Sequence, residues 1–240
     1  MKNLILFSLL VISAPALAAE PTAEQILAKY DEIMGPKSFE SVTLMTAHRE
    51  DGTTRTYEMK FLRGTEDRFR VWFEAPAAAK GQEMLRSGDN LWLYLPNLKR
   101  ATRIANRDSF QGGDFNNADV LRVNYVADYT AKLAPSEDSK TYLVELKAKN
   151  NATSYDAIKL WVRKSDLQPV KGEYYATSGQ MLRSAEFKGY TEFQKGYVRP
   201  ADVLMRNELV KARFSEMKMK QLKLNVDAPA QRFTQADLGR

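Results

Sequence analysis

The sequence contains no cysteine, a single histidine (His48) and, past its first residues, no long apolar run. Without cysteine there is no disulfide, no thiolate nucleophile and no thiol to accept a lipid. One histidine does not make a His-based zinc site. His48 follows Ala47 and precedes Arg49 at the end of an expected strand, with no serine, cysteine or metal partner to activate. Also missing are a GxSxG elbow, a Walker loop, a GxGxxG turn after a strand and an HExxH helix. Pairs of carboxylates are inevitable among 30 acidic residues, so they single out no hydrolase. The net charge of +6 is scattered, with no Lys/Arg block, which argues against nucleic acid. The expectation is a protein with no catalytic residue, no metal and no cofactor, held together by its apolar core alone.

What is present begins with an export signal. Lys2 supplies a positive start, Leu4 to Ile12 an apolar run broken by Ser8, and Ala16-Leu17-Ala18 a small-x-small cleavage site. The run is too short for a ~30 Å hydrocarbon core, which takes about 20 residues. Residues 1–18 therefore read as a cleaved signal peptide and 19–240 as the working domain. Ala19 stands where a lipidated protein would carry cysteine, so the product is expected free in the periplasm of a Gram-negative cell.

The domain opens with a helix, expected over Ala19–Met34. Thr22 and Gln25 have capping-box spacing, Ile26, Leu27, Tyr30, Ile33 and Met34 share one face, and Gly35-Pro36 ends it. Strand patterns follow. Ser41–Glu50 and Thr53–Arg63 flank Asp51-Gly52, a signal for a type I′ hairpin turn. Further runs are Arg68–Phe73, Gln82–Ser87, Asn90–Leu95, Arg100–Ile104, Thr141–Lys149, Ala157–Lys164, Val170–Thr177, Met181–Tyr190, Val198–Leu209 and Lys211–Leu224. About a dozen short strands with regular turns predict one sandwich or barrel. Residues 107–129 break the pattern: a Gly-rich stretch holds Phe110 and Phe115, and Asn117 is placed to cap a short helix over 118–121. A patternless segment of this length inside a compact domain is functional or mobile.

The apolar stripes carry the information. Leu44, Tyr57, Met59, Phe61, Phe69, Val71, Phe73 and Met84 are candidates for one face of a curved sheet. That face either packs fully under the helix or leaves an apolar cavity, and pattern alone leaves both open. The alternation in 90–95 likewise leaves open whether Leu91 and Leu93 or Trp92 and Tyr94 point inward.

The run Lys80-Gly81-Gln82-Glu83-Met84-Leu85, the strand Asp89-Asn90-Leu91-Trp92-Leu93-Tyr94-Leu95-Pro96, the basic Arg100 with Arg103-Ile104, and Gly112-Gly113-Asp114-Phe115 resemble the LolA-like outer-membrane lipoprotein-sorting family. The match is specific over residues 75–121 and general in strand order elsewhere. The resemblance implies a mainly β, incomplete (half-open) antiparallel β-barrel with an N-terminal helix and a short helical lid over an apolar cavity. It implies that the cavity, with Leu91 and Leu93 added to the wall above, takes acyl chains of a lipid or lipoprotein. Ile26, Tyr30, Phe110, Asp114 and Phe115, with Arg100 and Arg103, are assigned to its lid and mouth. The long Gly-rich segment departs from the shorter classical carriers, which widens the cargo to other lipids. An inner-membrane exporter of the RND (MMPL) type and an outer-membrane acceptor are the partners this implies, for a monomeric carrier. The other reading is an envelope-stress or lipid-sensing module of the same fold that binds a membrane regulator.

Overall fold

The structure, a computed structural model, describes residues 20–65 and 67–240; the export signal at 1–18 and its cleavage point at Ala19 lie outside the described residues. Thirteen strands are present among them: β1 (Phe39–His48), β2 (Thr54–Gly64), β3 (Arg68–Ala75), β4 (Glu83–Ser87), β5 (Asn90–Leu95), β6 (Arg100–Arg103), β7 (Tyr129–Ala134), β8 (Thr141–Ala148), β9 (Ala157–Arg163), β10 (Pro169–Tyr175), β11 (Met181–Gln194), β12 (Tyr197–Asn207) and β13 (Phe214–Leu224). They form one antiparallel sheet in the order β6-β5-β4-β3-β2-β1-β13-β12-β11-β10-β9-β8-β7. β6 and β7 follow one another in the chain yet sit at opposite edges and do not pair. The barrel is therefore open, and residues 104–128 link one edge to the other.

The inner face of the sheet has a single large apolar cluster that includes Met45, Tyr57, Met59, Phe61, Phe69, Val71, Phe73 and Met84. Period-2 alternation puts these side chains on one side of each strand. Leu44 has the opposite parity to Ser41, Thr43 and Met45. It faces outward into a groove with Thr46, Lys188, Asp202 and Lys218, so its assignment to the cavity is corrected. In β5 the open choice resolves: Leu91 and Leu93 belong to the inner cluster, while Trp92 and Tyr94 face out.

The helix α1 (Ala23–Met34) buries Ile26, Leu27, Tyr30 and Ile33 against this interior. It starts at Ala23, four residues after the expected Ala19, because Thr22 is the N-cap. The Thr22 hydroxyl accepts from the Gln25 N–H, and the Gln25 side chain accepts from the Thr22 N–H. Asn116, one residue before the expected Asn117, caps α2 (Asn117–Leu121) in the same reciprocal way with Asp119. A further short helix, α3 (Tyr125–Asp128), leads into β7.

Two local expectations differ. The Asp51-Gly52 hairpin exists, but of the two residues only Gly52 has positive φ, and Gly52 N–H donates to Arg49 O across a longer loop. The Asp51 carboxylate binds both the N–H and the hydroxyl of Thr53, an Asx turn that holds the loop without a type I′ geometry. β7 has no counterpart in the sequence pattern, because Tyr129–Ala134 is a half-exposed edge strand with two alanines and weak alternation.

The outer face carries a second cluster. Leu62, Leu85, Phe233 and Leu238 are buried together with Trp72, Trp92 and Tyr94 around them. They seat the C-terminal segment, whose 3-10 turns Ala230–Phe233 and Gln235–Asp237 lie across β3 and β4. Gly64 and Gly239 are close approaches: a Cβ on Gly64 would meet the Phe233 ring at 2.9 Å, and one on Gly239 would clash with the Tyr94 hydroxyl.

Candidate functional site

The open side of the half-barrel is filled by α1 and the 104–128 segment acting as one plug. The Asp31 carboxylate of α1 accepts the N–H groups of Tyr125 and Val126 at 2.9 and 2.8 Å, which joins the two pieces. Tyr30 stacks on Tyr125 with ring centroids 5.0 Å apart and meets Phe187 edge-on.

Beside this apolar packing, in which Ile26, Leu27, Tyr30, Phe110, Phe115 and Leu121 are buried, the plug is latched to the sheet by polar contacts. Asp114 is the main latch: its carboxylate accepts from Asn207 Nδ2 and Ser215 Oγ, both at 3.0 Å, and lies 3.5 Å from Arg213. Its N–H donates to Ser215 Oγ, and its carbonyl accepts from Arg183 Nε. The chain passes so close here that a Cβ on Gly113 would lie 3.0 Å from Ser215 Oγ. At the far end of α1, the Tyr197 hydroxyl donates to Ile33 O and Arg199 to Met34 O. Arg63 donates to Val123 O of the plug at 3.4 Å.

Between plug and sheet remains an apolar cavity of about 100 Å³. Tyr30, Phe115, Phe61, Phe69, Met205 and Met217 line it, together with Arg63, Arg199 and Asp119. Cavities that take drug-sized ligands measure ~300–1,000 Å³, and even benzene occupies one of about 150 Å³. The space is therefore that of a closed state, with plug side chains occupying the trough.

Of the residues expected in the wall, Phe61 and Phe69 line this cavity, while Tyr57, Met59, Val71, Phe73, Met84 and Leu91 are buried in the surrounding core and Leu93 packs against it. Of those expected in the lid, Tyr30 and Phe115 line it, Ile26 is fully buried under α1, and Phe110 is buried with its ring 6.1 Å from that of Phe73. Asp114 is buried, but as a latch and not at the mouth. Arg100 and Arg103 line none of the cavity: β6 is the sheet edge, and both side chains are exposed there. The nearby Arg107 instead ties the start of the plug to the β8–β9 loop through Thr153 O and Asn151 O.

The polar residues of the site were legible only in part. Arg63 shares strand parity with Tyr57, Met59 and Phe61, and Arg199 with Val203 and Met205, so alternation alone points both arginines inward. Nothing in the sequence marks Asp31 or Asp119.

Asp119 accepts from Asn116 N–H and the Tyr155 hydroxyl, and burial pushes its carboxyl up to about 6. A folded-state value above the unfolded ~3.9 means the folded protein holds the proton more tightly. That stabilisation is complete below about pH 4 and is lost as pH rises through about 6. Asp119→Asn, which keeps the acceptor oxygen, is expected to match wild type in thermal stability near pH 4 and to exceed it at pH 7. A stability difference that does not change with pH would show that Asp119 titrates normally.

The class these features define is a mainly β, open half-barrel with an apolar trough covered by its own plug. A family model described as "Uncharacterized protein" matches residues 65–240. The chain belongs to that family, and its fold is that of the LolA superfamily. A crystal structure of a LolA superfamily protein from Nitrosomonas europaea superposes with a TM-score of 0.81 at 27% identity, covering 90% of this chain and 99% of that one. A domain from Vibrio parahaemolyticus described as an outer membrane lipoprotein-sorting protein gives 0.78 at 21% identity, covering 91% and 98%. A DUF1329 family protein from Desulfovibrio piger gives 0.80 at 20% identity, covering 92% and 100%. No curated protein matches the sequence. Among the described residues, no helix is long and apolar enough to cross a membrane.

Proposed function

We propose that this chain is a periplasmic carrier that binds the acyl chains of a lipid or lipoprotein in the half-barrel trough and releases them without catalysis. The observation that supports this best is the way the trough is closed. Its apolar wall is covered by the protein's own plug, which buries Ile26, Leu27, Tyr30, Phe115 and Leu121 there and is tied down by hydrogen bonds to carbonyls and to Asp114. The hydrogen bonds exchange with water at small net cost, about 0.5–1.5 kcal/mol each, and the apolar wall that a lifting plug uncovers is covered again by the incoming chain, which offsets the larger cost. An acyl chain entering the trough would then replace Tyr30, Met34, Phe115 and Val120 against the wall. Each methylene it buries is worth ~0.8 kcal/mol, which drives loading from water and makes release into a membrane feasible.

Residues 1–18 serve in this reading as the export signal and residues 19–240 as the carrier domain. The lipoprotein-sorting description of the Vibrio relative supports transfer towards the outer membrane. An RND (MMPL) type exporter in the inner membrane and an outer-membrane acceptor are the partners proposed.

Mass spectrometry of protein purified without detergent tests the binding step, with co-purified acylated species expected. Transfer of labelled lipid between two vesicle populations tests carriage. Lipid that is bound but never handed on would favour the lipid-sensing module, and neither binding nor transfer would overturn the proposal.

A further inference from the structure

Among the described residues, two arginines in the trough form no ion pair. Arg63 is 9 % and Arg199 6 % exposed, both line the apolar cavity, and among the described residues neither lies within 4 Å of a carboxylate. Arg199 spends its donors on Pro200 O, Met34 O and the Met34 sulfur. Arg63 makes one long bond to Val123 O and lies 5.8 Å from the centre of the Phe69 ring, and its Nη1 is buried with no hydrogen-bond partner. Burial pushes both guanidinium groups down from their usual range. Isolated buried cations are costly, and natural proteins pair them. Asp67 and then Asp31 are the carboxylates whose charge reaches Arg63, neither within 4 Å, and Asp31 is committed to the Tyr125 and Val126 N–H groups. Asp119, which lines the same cavity, is committed to Asn116 and Tyr155.

What the two arginines do bind is the plug: Met34 O at the end of α1 and Val123 O after α2. When the plug lifts, those carbonyls leave and two cations remain at one end of an apolar trough. We propose that Arg63 and Arg199 form a head-group site for a single anionic group, a carboxylate or phosphate, attached to an acyl chain. This rests on the carrier reading above and narrows its cargo to anionic amphiphiles. The site exchanges ligands: plug carbonyls when empty, anionic oxygens when loaded. The anion also satisfies Arg63 Nη1, so the loaded state has a polar contact that the closed state lacks.

The test compares oleate and oleyl phosphate with methyl oleate, which has the same chain and no charge, by equilibrium dialysis against delipidated mature protein. Charge-assisted hydrogen bonds in a water-poor site are expected to make the two anions bind at least ~10-fold tighter than the ester. In Arg63→Gln/Arg199→Gln the preference of the anions over methyl oleate is expected to fall to within about twofold, whatever the change in methyl oleate binding itself. Equal binding of all three probes by wild type would refute the head-group site and leave the carrier reading standing. Binding of none would overturn the carrier reading, and the head-group site with it. A preference that survives in the double variant would place the anion elsewhere. Inorganic phosphate alone is expected not to bind, since the closed plug covers both arginines. Phosphate binding that the double variant loses would identify a free-anion site and overturn the proposal.

Discussion

Arg70→Ala is expected to lower the unfolding free energy by about 3–5 kcal/mol and the thermal midpoint by on the order of 10 °C. Arg70 is fully buried on the outer face of β3, and its guanidinium is used at every nitrogen. Nε and Nη2 donate to Glu83 Oε2 of β4 at 2.8 and 2.6 Å. Nη1 donates to Arg232 O at 2.9 Å and pairs with the Asp237 carboxylate, and Nη2 also donates to Asp237 O. One side chain thus holds the C-terminal segment on the back of the sheet. Its guanidinium lies 4.9 Å from the Trp72 ring, with that of Arg232 at 5.4 Å. Truncation leaves Glu83 as an unpaired buried carboxylate and two carbonyls without donors. The pair is worth less than its removal suggests, because a buried ion pair is roughly balanced by its desolvation. Arg70→Met/Glu83→Leu is therefore expected to regain part of the loss, with the Asp237 carboxylate and the two carbonyls still without their donor. A single variant within 1 kcal/mol of wild type in denaturant unfolding would show that the C-terminal segment contributes nothing through this pair.

Phe61→Glu is expected to abolish lipid retention while the protein stays folded. Phe61 lines the trough, 5.9 Å from the Phe69 ring, in a wall whose attraction for an acyl chain is purely apolar. A carboxylate there would hydrate the wall and cost each methylene that packs on it about 0.8 kcal/mol. Such a substitution usually unfolds a core. Here position 61 is two residues from Arg63 on the same face of β2, so the new charge has an unpaired cation to meet. The matched control is Phe61→Leu, which keeps the wall apolar and is expected to keep its lipid. Circular dichroism verifies the fold, and mass spectrometry of detergent-free protein reads the cargo. A folded Phe61→Glu protein that still co-purifies with acylated species would place the chain elsewhere.

The legible part of the fold came from short-range rules. Thr22 and Gln25 announced the start of α1, and the alternation Tyr57, Met59, Phe61 announced the inner face of β2. The 80–96 run that carries the family resemblance turned out to serve both faces at once. Met84, Leu91 and Leu93 line the interior, while Glu83, Leu85, Trp92 and Tyr94 seat the C-terminal segment. That second use was invisible because it depends on residues 226–239 returning across the sheet, a contact more than 130 positions away in the chain. Leu44 was misplaced for a different reason: its strand is amphipathic only weakly, with Ser41 and Thr43 inside and Leu44 outside, so hydrophobicity pointed to the wrong parity. Arg100 and Arg103 looked like mouth residues because they adjoin the Gly-rich segment in sequence; the strand they lie on is the edge of the sheet, where charged side chains discourage pairing with other chains.

By itself the sequence determined α1, α2 and twelve of the thirteen strands, the absence of cysteine and of histidine clusters, and the apolar stripes that any fold of this chain had to bury. These follow from local sterics and from the period of hydrophobic residues, which act over a few positions. Tertiary structure alone decided that the opening of the barrel falls between β6 and β7, that Asp114 is a latch, and that Arg63 and Arg199 line the trough with no carboxylate within 4 Å of either among the described residues. Each depends on which distant segments meet, because the energy of a buried polar group is set by its partners and not by its neighbours in the chain.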